Sequence, residues 1–176
     1  MKRTSRRHGA VIAIVTVLAG GALVVAPQAQ AETPPDNATR VAWAYNIKDM
    51  INRERASYGL PALVMDGRLG RAAHSHNDRM ARYNTLSHQE PGEASLGARI
   101  TGAGYSWSAV AENVGFTSSW TLAAAQAIHQ MMFNEPANGP HRLAILNRVY
   151  RNVGVDIVFD TPHHRLWLTE DFAAPS

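Results

Sequence analysis

Two residue types able to carry acid–base or metal chemistry flank one short loop near the end of the chain. Ile128 to Leu146 reads IHQMMFNEPANGPHRLAIL. Its first part places Ile128, Met131, Met132 and Glu135 at i, i+3, i+4 and i+7, the spacing of one helical face. Pro136 breaks that helix and Asn138-Gly139 is turn chemistry. Pro140 then fits the first position of a new helix, because its φ is fixed and it has no N–H to lose. His141 falls in the first turn, where the helix dipole and unpaired N–H groups disfavour a positive charge. A neutral imidazole is the form that ligates a metal or accepts a proton. Glu135 at a helix end and His141 at a helix start are the first candidate pair. Taken alone, the stretch also reads as a surface loop with a capping histidine.

Two more residues join them. His88 follows Leu86-Ser87 in a loop, where a side chain can be aimed freely. Glu112 sits in an extended run, Val110 to Phe116, where an ionised carboxylate among apolar neighbours needs a partner. His88, Glu112 and His141 are expected to converge in one cleft, with Glu135 at its edge. Two imidazoles and one or two carboxylates suit a divalent ion of the zinc type, with His88 and His141 as ligands and water in the open positions. Such an ion would activate water. The sequence has no HExxH or other local metal motif, so any ion would be held weakly and facultatively by separate segments. The other reading is a hydrogen-bonded cluster that ties loops to a sheet. No nucleophile stands out: Ser87 adjoins His88 in the chain, and Ser118-Ser119 lacks a local base. The chain has no cysteine, which excludes thiol nucleophiles and thiolate metal sites.

The elements that must position these groups follow from periodicity. Val41 to Ser57 reads as a helix burying Val41, Tyr45, Met50 and Ile51, and Gly59 ends it. Asp66 caps a second helix whose buried face is Leu69, Ala72, Ala73, His76 and Met80. His76 is expected to be a hydrogen-bonded core histidine and His74 to face solvent. Ser95 to Gly102 is a short helix, and Thr121 to Glu135 is a longer one. Val153 to Phe159 and Arg165 to Phe172 alternate as strands, with Leu166, Leu168, Glu170 and Phe172 on one face and Trp167 on the other. The hairpin between them holds His163 and His164, read as solvated turn residues. Helices come first, a hairpin comes last, and no βαβ alternation appears, so the fold class is α+β.

The first residues read as an export signal. Lys2, Arg3, Arg6 and Arg7 precede an apolar run from Ala10 to Ala26, and Ala29-Gln30-Ala31 is a small-x-small exit. Residues 1–31 are the expected signal and 32–40 a mobile leader. Four of the 17 basic residues lie in the signal and none of the 14 acidic ones does, so the remainder carries 13 − 14, a net charge of −1. The basic character therefore belongs to the export segment and is no argument for a nucleic-acid partner. No membrane-spanning segment is expected once the signal is removed.

Several motifs in order resemble one family. Ile51-Asn52-Arg53-Glu54-Arg55 with Gly59-Leu60-Pro61, then Ala73 to Met80, Leu86-Ser87-His88, Ala111-Glu112-Asn113-Val114, Pro140-His141-Arg142 and Thr169-Glu170-Asp171-Phe172-Ala173 are similar to those of the CAP domain. This is the family of cysteine-rich secretory proteins, antigen 5 and pathogenesis-related 1 proteins, and the resemblance is to its bacterial members. It implies a three-layer α-β-α sandwich with a small antiparallel sheet over 41–174, and a cleft lined by two histidines and two acids. His88, Glu112 and His141 match that set, and Glu135 falls at the second acidic position. Pro140 stands where glycine is usual, Ala144 for asparagine and Met132 for tryptophan. The resemblance suggests an exported binding module for a lipid, sterol, cell-envelope or host ligand. The alternative is a metal-dependent hydrolase of an envelope substrate.

Overall fold

The computed structural model describes residues 33–176, so the expected signal, 1–31, lies outside the described residues. Helix α1 is Asn37–Ser57, α2 is Gly67–Tyr83, α3 is Leu96–Gly102, α4 is Leu122–Phe133 and α5 is Pro140–Ile145. The strands are β1 (Val64–Met65), β2 (Trp107–Thr117), β3 (Asn152–Asp160) and β4 (Arg165–Pro175), in sheet order β1-β3-β4-β2. β2, β4 and β3 pair antiparallel, and only the two-residue edge strand β1 runs parallel to its neighbour. The sheet is thus antiparallel as expected apart from that edge.

Strand alternation decides which helices lie on which face. Val153, Val155 and Ile157 of β3, with Leu166, Leu168 and Phe172 of β4, pack with Ile47 and Ile51 of α1, Ile128 and Met132 of α4 and Ile145 of α5. The opposite face presents Ala173 to Leu69, Ala72 and Ile100, and Trp167 to Met80 and Val114. α2 and α3 cover that second face.

Local capping sets the helix starts. Asp36 accepts a hydrogen bond from Thr39 N at 2.8 Å, so α1 begins inside the stretch expected to be a mobile leader. Asp66 caps α2 as its sequence implies. The buried stripe of α1 is Ala44, Ile47, Ile51 and Arg55, whereas Val41 and Tyr45 are exposed. The expected face was rotated because a fully buried arginine belongs to it. The Arg55 guanidinium donates through Nε and Nη1 to the carbonyls of Pro61, Ile145 and Asn147, while its buried Nη2 has no hydrogen-bond partner among the described residues.

Gly154 brings α2 directly onto β3. A Cβ there would lie 2.2 Å from the Leu69 carbonyl carbon and 2.3 Å from the Gly70 nitrogen. Backbone cannot swing aside as a side-chain tip can. Gly154→Ala is therefore expected to destabilise by at least ~1–3 kcal/mol, read as a lower urea midpoint. An unchanged midpoint would show that the two layers are not in contact there.

Candidate functional site

β2 is an edge strand, and successive residues on it serve the two faces of the sheet. Glu112 points to the α2 face. Its carboxylate bonds His88 Nδ1 at 3.0 Å and pairs with Arg99 Nη2, and His76 Nε2 is 3.7 Å away. The Glu112 carboxylate beside His88 holds that imidazole above its ordinary pKa, against partial burial. Arg99 also donates to His88 O at 3.1 Å, so it fixes the loop as well as the acid. His76 is fully buried as expected, and bridges Glu93, 2.9 Å from Nδ1, to Ser87 O, 2.8 Å from Nε2. The loop carrying His88 is thus anchored from α2 and α3.

Asp171 faces Glu112 across the β2–β4 register. It is fully buried, and neither carboxyl oxygen has a hydrogen-bond donor among the described residues. Burial first, and the negative charge of Glu112 second, push its pKa well above the carboxylate range. A protonated Asp171 has an O–H to give to Glu112, which resolves both burials. The folded state then holds a proton that the unfolded state releases near pH ~3.9, so the carboxyl favours folding below that value and costs stability as pH rises above it. Asp171→Asn keeps the shape and an N–H donor. It is expected to fold and to lose this decline, checked by urea midpoints across the acid to neutral range. A decline of the same slope in the variant would show that Asp171 is not its source.

On the other face, Glu135 and His141 are joined directly. His141 Nδ1 lies 2.5 Å from Glu135 Oε1, and the His141 N–H donates to Oε2 at 3.0 Å. Hydrogen bonding to His141 holds the Glu135 carboxyl below its usual value. Gly139 makes the fold-back possible, since a Cβ there would lie 2.5 Å from Glu135 Cβ. Pro140 opens α5, as its sequence implies. Glu135 is not on the α4 face, because that helix stops at Phe133, and Met131 is exposed rather than buried. The buried face is Ala125, Ile128, His129 and Met132.

Sequence reasoning missed a second buried network. His129 Nδ1 is 2.7 Å from Glu170 Oε1, and Nε2 is 2.8 Å from Glu54 Oε2. Asn113 Nδ2 donates to Glu170 Oε2 at 3.1 Å and to His141 O at 3.4 Å. The signal was Glu170 itself, a carboxylate on an otherwise apolar strand face. Two smaller expectations also change. His74 is half-exposed, but its Nδ1 is 3.0 Å from Asp156 Oδ2. His163 Nδ1 is 2.8 Å from Asp160 Oδ2, and the His164 ring lies tilted against Trp120 with centroids 4.5 Å apart, so neither is merely solvated.

The four candidate residues form two His–carboxylate pairs, His88–Glu112 and His141–Glu135. In each the carboxylate takes Nδ1 and leaves Nε2 without a protein partner among the described residues, the orientation that metal-bound imidazoles share. Among the described residues no group of three or more His, Asp or Glu side chains is placed to hold an ion.

A groove of about 230 Å³ crosses the β2 edge beside His141 and Glu135. Leu86, Val114, Phe116, Ile128, Met131 and Met132 give it an apolar lining. Arg165 lies over the Phe116 ring, 4.3 Å from its centroid.

The model of the cysteine-rich secretory protein family, CAP, matches residues 48–172. No curated protein matches the chain. Among solved structures, an extracellular protein of Bacillus anthracis containing an SCP domain superposes with TM-score 0.66 at 23% identity, over 81% of this chain and 45% of that one. An outer surface protein of Borrelia burgdorferi gives TM-score 0.65 at 16% identity, over 77% and 94%. A cysteine-rich secretory protein of Staphylococcus aureus gives 0.57 at 20% identity, over 78% and 40%. The chain thus spans less than half the length of the Bacillus and Staphylococcus proteins. At these identities the likeness is one of fold.

Proposed function

The chain belongs to the CAP, or cysteine-rich secretory protein, family, and from that membership we propose that it is an exported, non-catalytic module that binds an amphiphile along the β2 edge. The observation that carries this reading is the groove. Its lining leaves Met131 66%, Leu86 47% and Phe116 38% exposed around one depression, a cluster of large apolar side chains able to meet an apolar ligand. Its polar end is the His141–Glu135 pair, and Arg165 supplies a cation at Phe116. An acyl chain would take the apolar wall while an anionic head meets the cation. Export is supported by the charged and apolar pattern of residues 1–31, and two of the similar structures are described as extracellular or outer surface proteins. Among the described residues no helix is long and apolar enough to cross a membrane.

A divalent, zinc-like ion is a facultative addition to this reading. His88 and His141 would hold it through Nε2, with Glu112 and Glu135 orienting the rings. Bound there, it would supply Lewis-acid polarisation of water. A metal-dependent hydrolase of an envelope substrate is the alternative function, favoured by the two open imidazole nitrogens. Among the described residues neither histidine contacts a nucleophile and no third protein ligand joins them, and this supports the binding reading. Titration of a fluorescent fatty acid with and without chelator separates the two. Binding that persists in chelator, with no turnover of added zinc-loaded protein, supports the module.

A further inference from the structure

The β3–β4 hairpin and the C-terminal half of α2 enclose a second cleft, of about 600 Å³, that shares no lining residue with the groove. It is lined in part by Ser75, Asp78, Arg79, Arg82, Asp160 and His163. We propose that this cleft binds the phosphate group of a phosphate ester, through Arg82, Ser75 and His163.

The donors are present and unspent. Among the described residues the Arg82 guanidinium has no hydrogen bond, ion pair or ring partner, and the Ser75 hydroxyl has none either. A guanidinium presents a planar fork that matches two oxygens of a phosphate. His163 is held for the purpose. Asp160 is only 5% exposed, and its carboxylate accepts from His163 Nδ1 at 2.8 Å, from the His163 N–H at 3.3 Å and from Trp167 Nε1 at 3.3 Å. That grip fixes the ring and leaves Nε2 without a protein partner, placed to donate to an anion when the ring carries both protons. Arg79 adds positive charge from the helix, part of it answered by Glu93 Oε1 at 4.0 Å, and is tethered through Nη2 to Pro91 O at 2.8 Å.

Two carboxylates oppose an anion, and neither blocks it. Asp160 is buried and engaged by three donors. Asp78 is largely exposed at the rim, 3.7 Å from His74 Nε2, and is screened by water. Arg82 and part of the Arg79 charge therefore face one available acid. The cleft is also larger than a bare oxyanion needs, which leaves room for an organic substituent. A carboxylate ligand would use the guanidinium fork but leave the groups on the facing element, the hairpin, unused, so a tetrahedral group with oxygens for both α2 and the hairpin fits better.

The test is a titration of the full chain with inorganic phosphate, followed by amide and imidazole NMR signals. Saturable shifts at Ser75, Arg82 and His163 in the millimolar range are expected. Arg82→Gln is at an exposed position and should keep the fold, as its remaining spectrum will show. It is expected to weaken binding at least ~10-fold, the loss of one charge-assisted fork. His163→Gln, which keeps one N–H donor, should weaken it less. No saturable shift at these residues, an unchanged affinity in Arg82→Gln, or the same shifts from equal chloride would overturn the proposal. Vesicles then identify the source. Binding to phosphatidylglycerol but not phosphatidylcholine vesicles, lost in Arg82→Gln, assigns a lipid headgroup. Phosphate binding without vesicle binding assigns a soluble phosphate ester.

Discussion

His129→Ala is expected to lower the unfolding free energy by about 3–5 kcal/mol, the cost of breaking a buried charge pair from one side. The imidazole and Glu170 are both fully buried, and they lie between α1, α4 and β4. Among the described residues, removing the ring leaves the Glu170 carboxylate with only the Asn113 amide, and leaves Glu54 held to α4 by Gln130 alone. Burial opposes the charge on His129, but Glu170 and Glu54 outweigh it and raise its pKa to about 10. The sign of the pH effect follows. Stabilisation by the imidazolium is complete below the unfolded value of ~6.5 and is lost as pH rises through the folded value. Urea midpoints of the wild type should therefore fall across the alkaline range, and those of His129→Ala should not. Equal slopes in the two proteins would mean that the triad is not charged.

Arg99→Met is expected to cost a similar amount, about 3–5 kcal/mol, through the opposite charge. Arg99 is the cation within reach of both Glu112 and Glu93, and Asp171 lies behind Glu112. Methionine fills much of the volume but leaves buried carboxylates without that counter-ion. Protonation should then relieve the strain, so the deficit should shrink in acid. The His88 loop should also loosen, because Arg99 holds its backbone carbonyl. Thermal unfolding near neutral and acid pH reads the first effect, and amide exchange at residues 86 to 90 reads the second. A deficit independent of pH would point to lost packing instead.

These two positions show where sequence reading reached its limit. The α2 face was legible because every buried position, from Leu69 to Met80, is apolar or small except two that hydrogen-bond, His76 and Asn77. α1 was not, because a stripe of Ala44, Ile47, Ile51 and Arg55 hides a charge whose acceptors lie far along the chain. Pro136, Gly139 and Pro140 punctuate the Glu135–His141 loop, so that pair could be read locally. Glu112 needed a partner, and His88 supplies it. His129, Glu54 and Glu170 come from three segments, and no local spacing connects them. Met131 misled because the i, i+3, i+4 pattern holds two overlapping faces, and packing selects the one through His129.

The proposed role rests on the groove at the β2 edge, and Met131 is its most exposed apolar wall. The direct measurement is a fluorescence titration of the protein with a polyene fatty acid, in chelator, for wild type and Met131→Asp. Because Met131 is 66% exposed, the aspartate should not disturb folding. It places a charge in the apolar wall and should weaken binding by at least ~10-fold, about 1.4 kcal/mol. Saturable binding to the wild type with that loss in the variant is the expected result. A wild type that binds no fatty acid, or a variant that binds it equally well, would contradict the assignment of the groove as a ligand site.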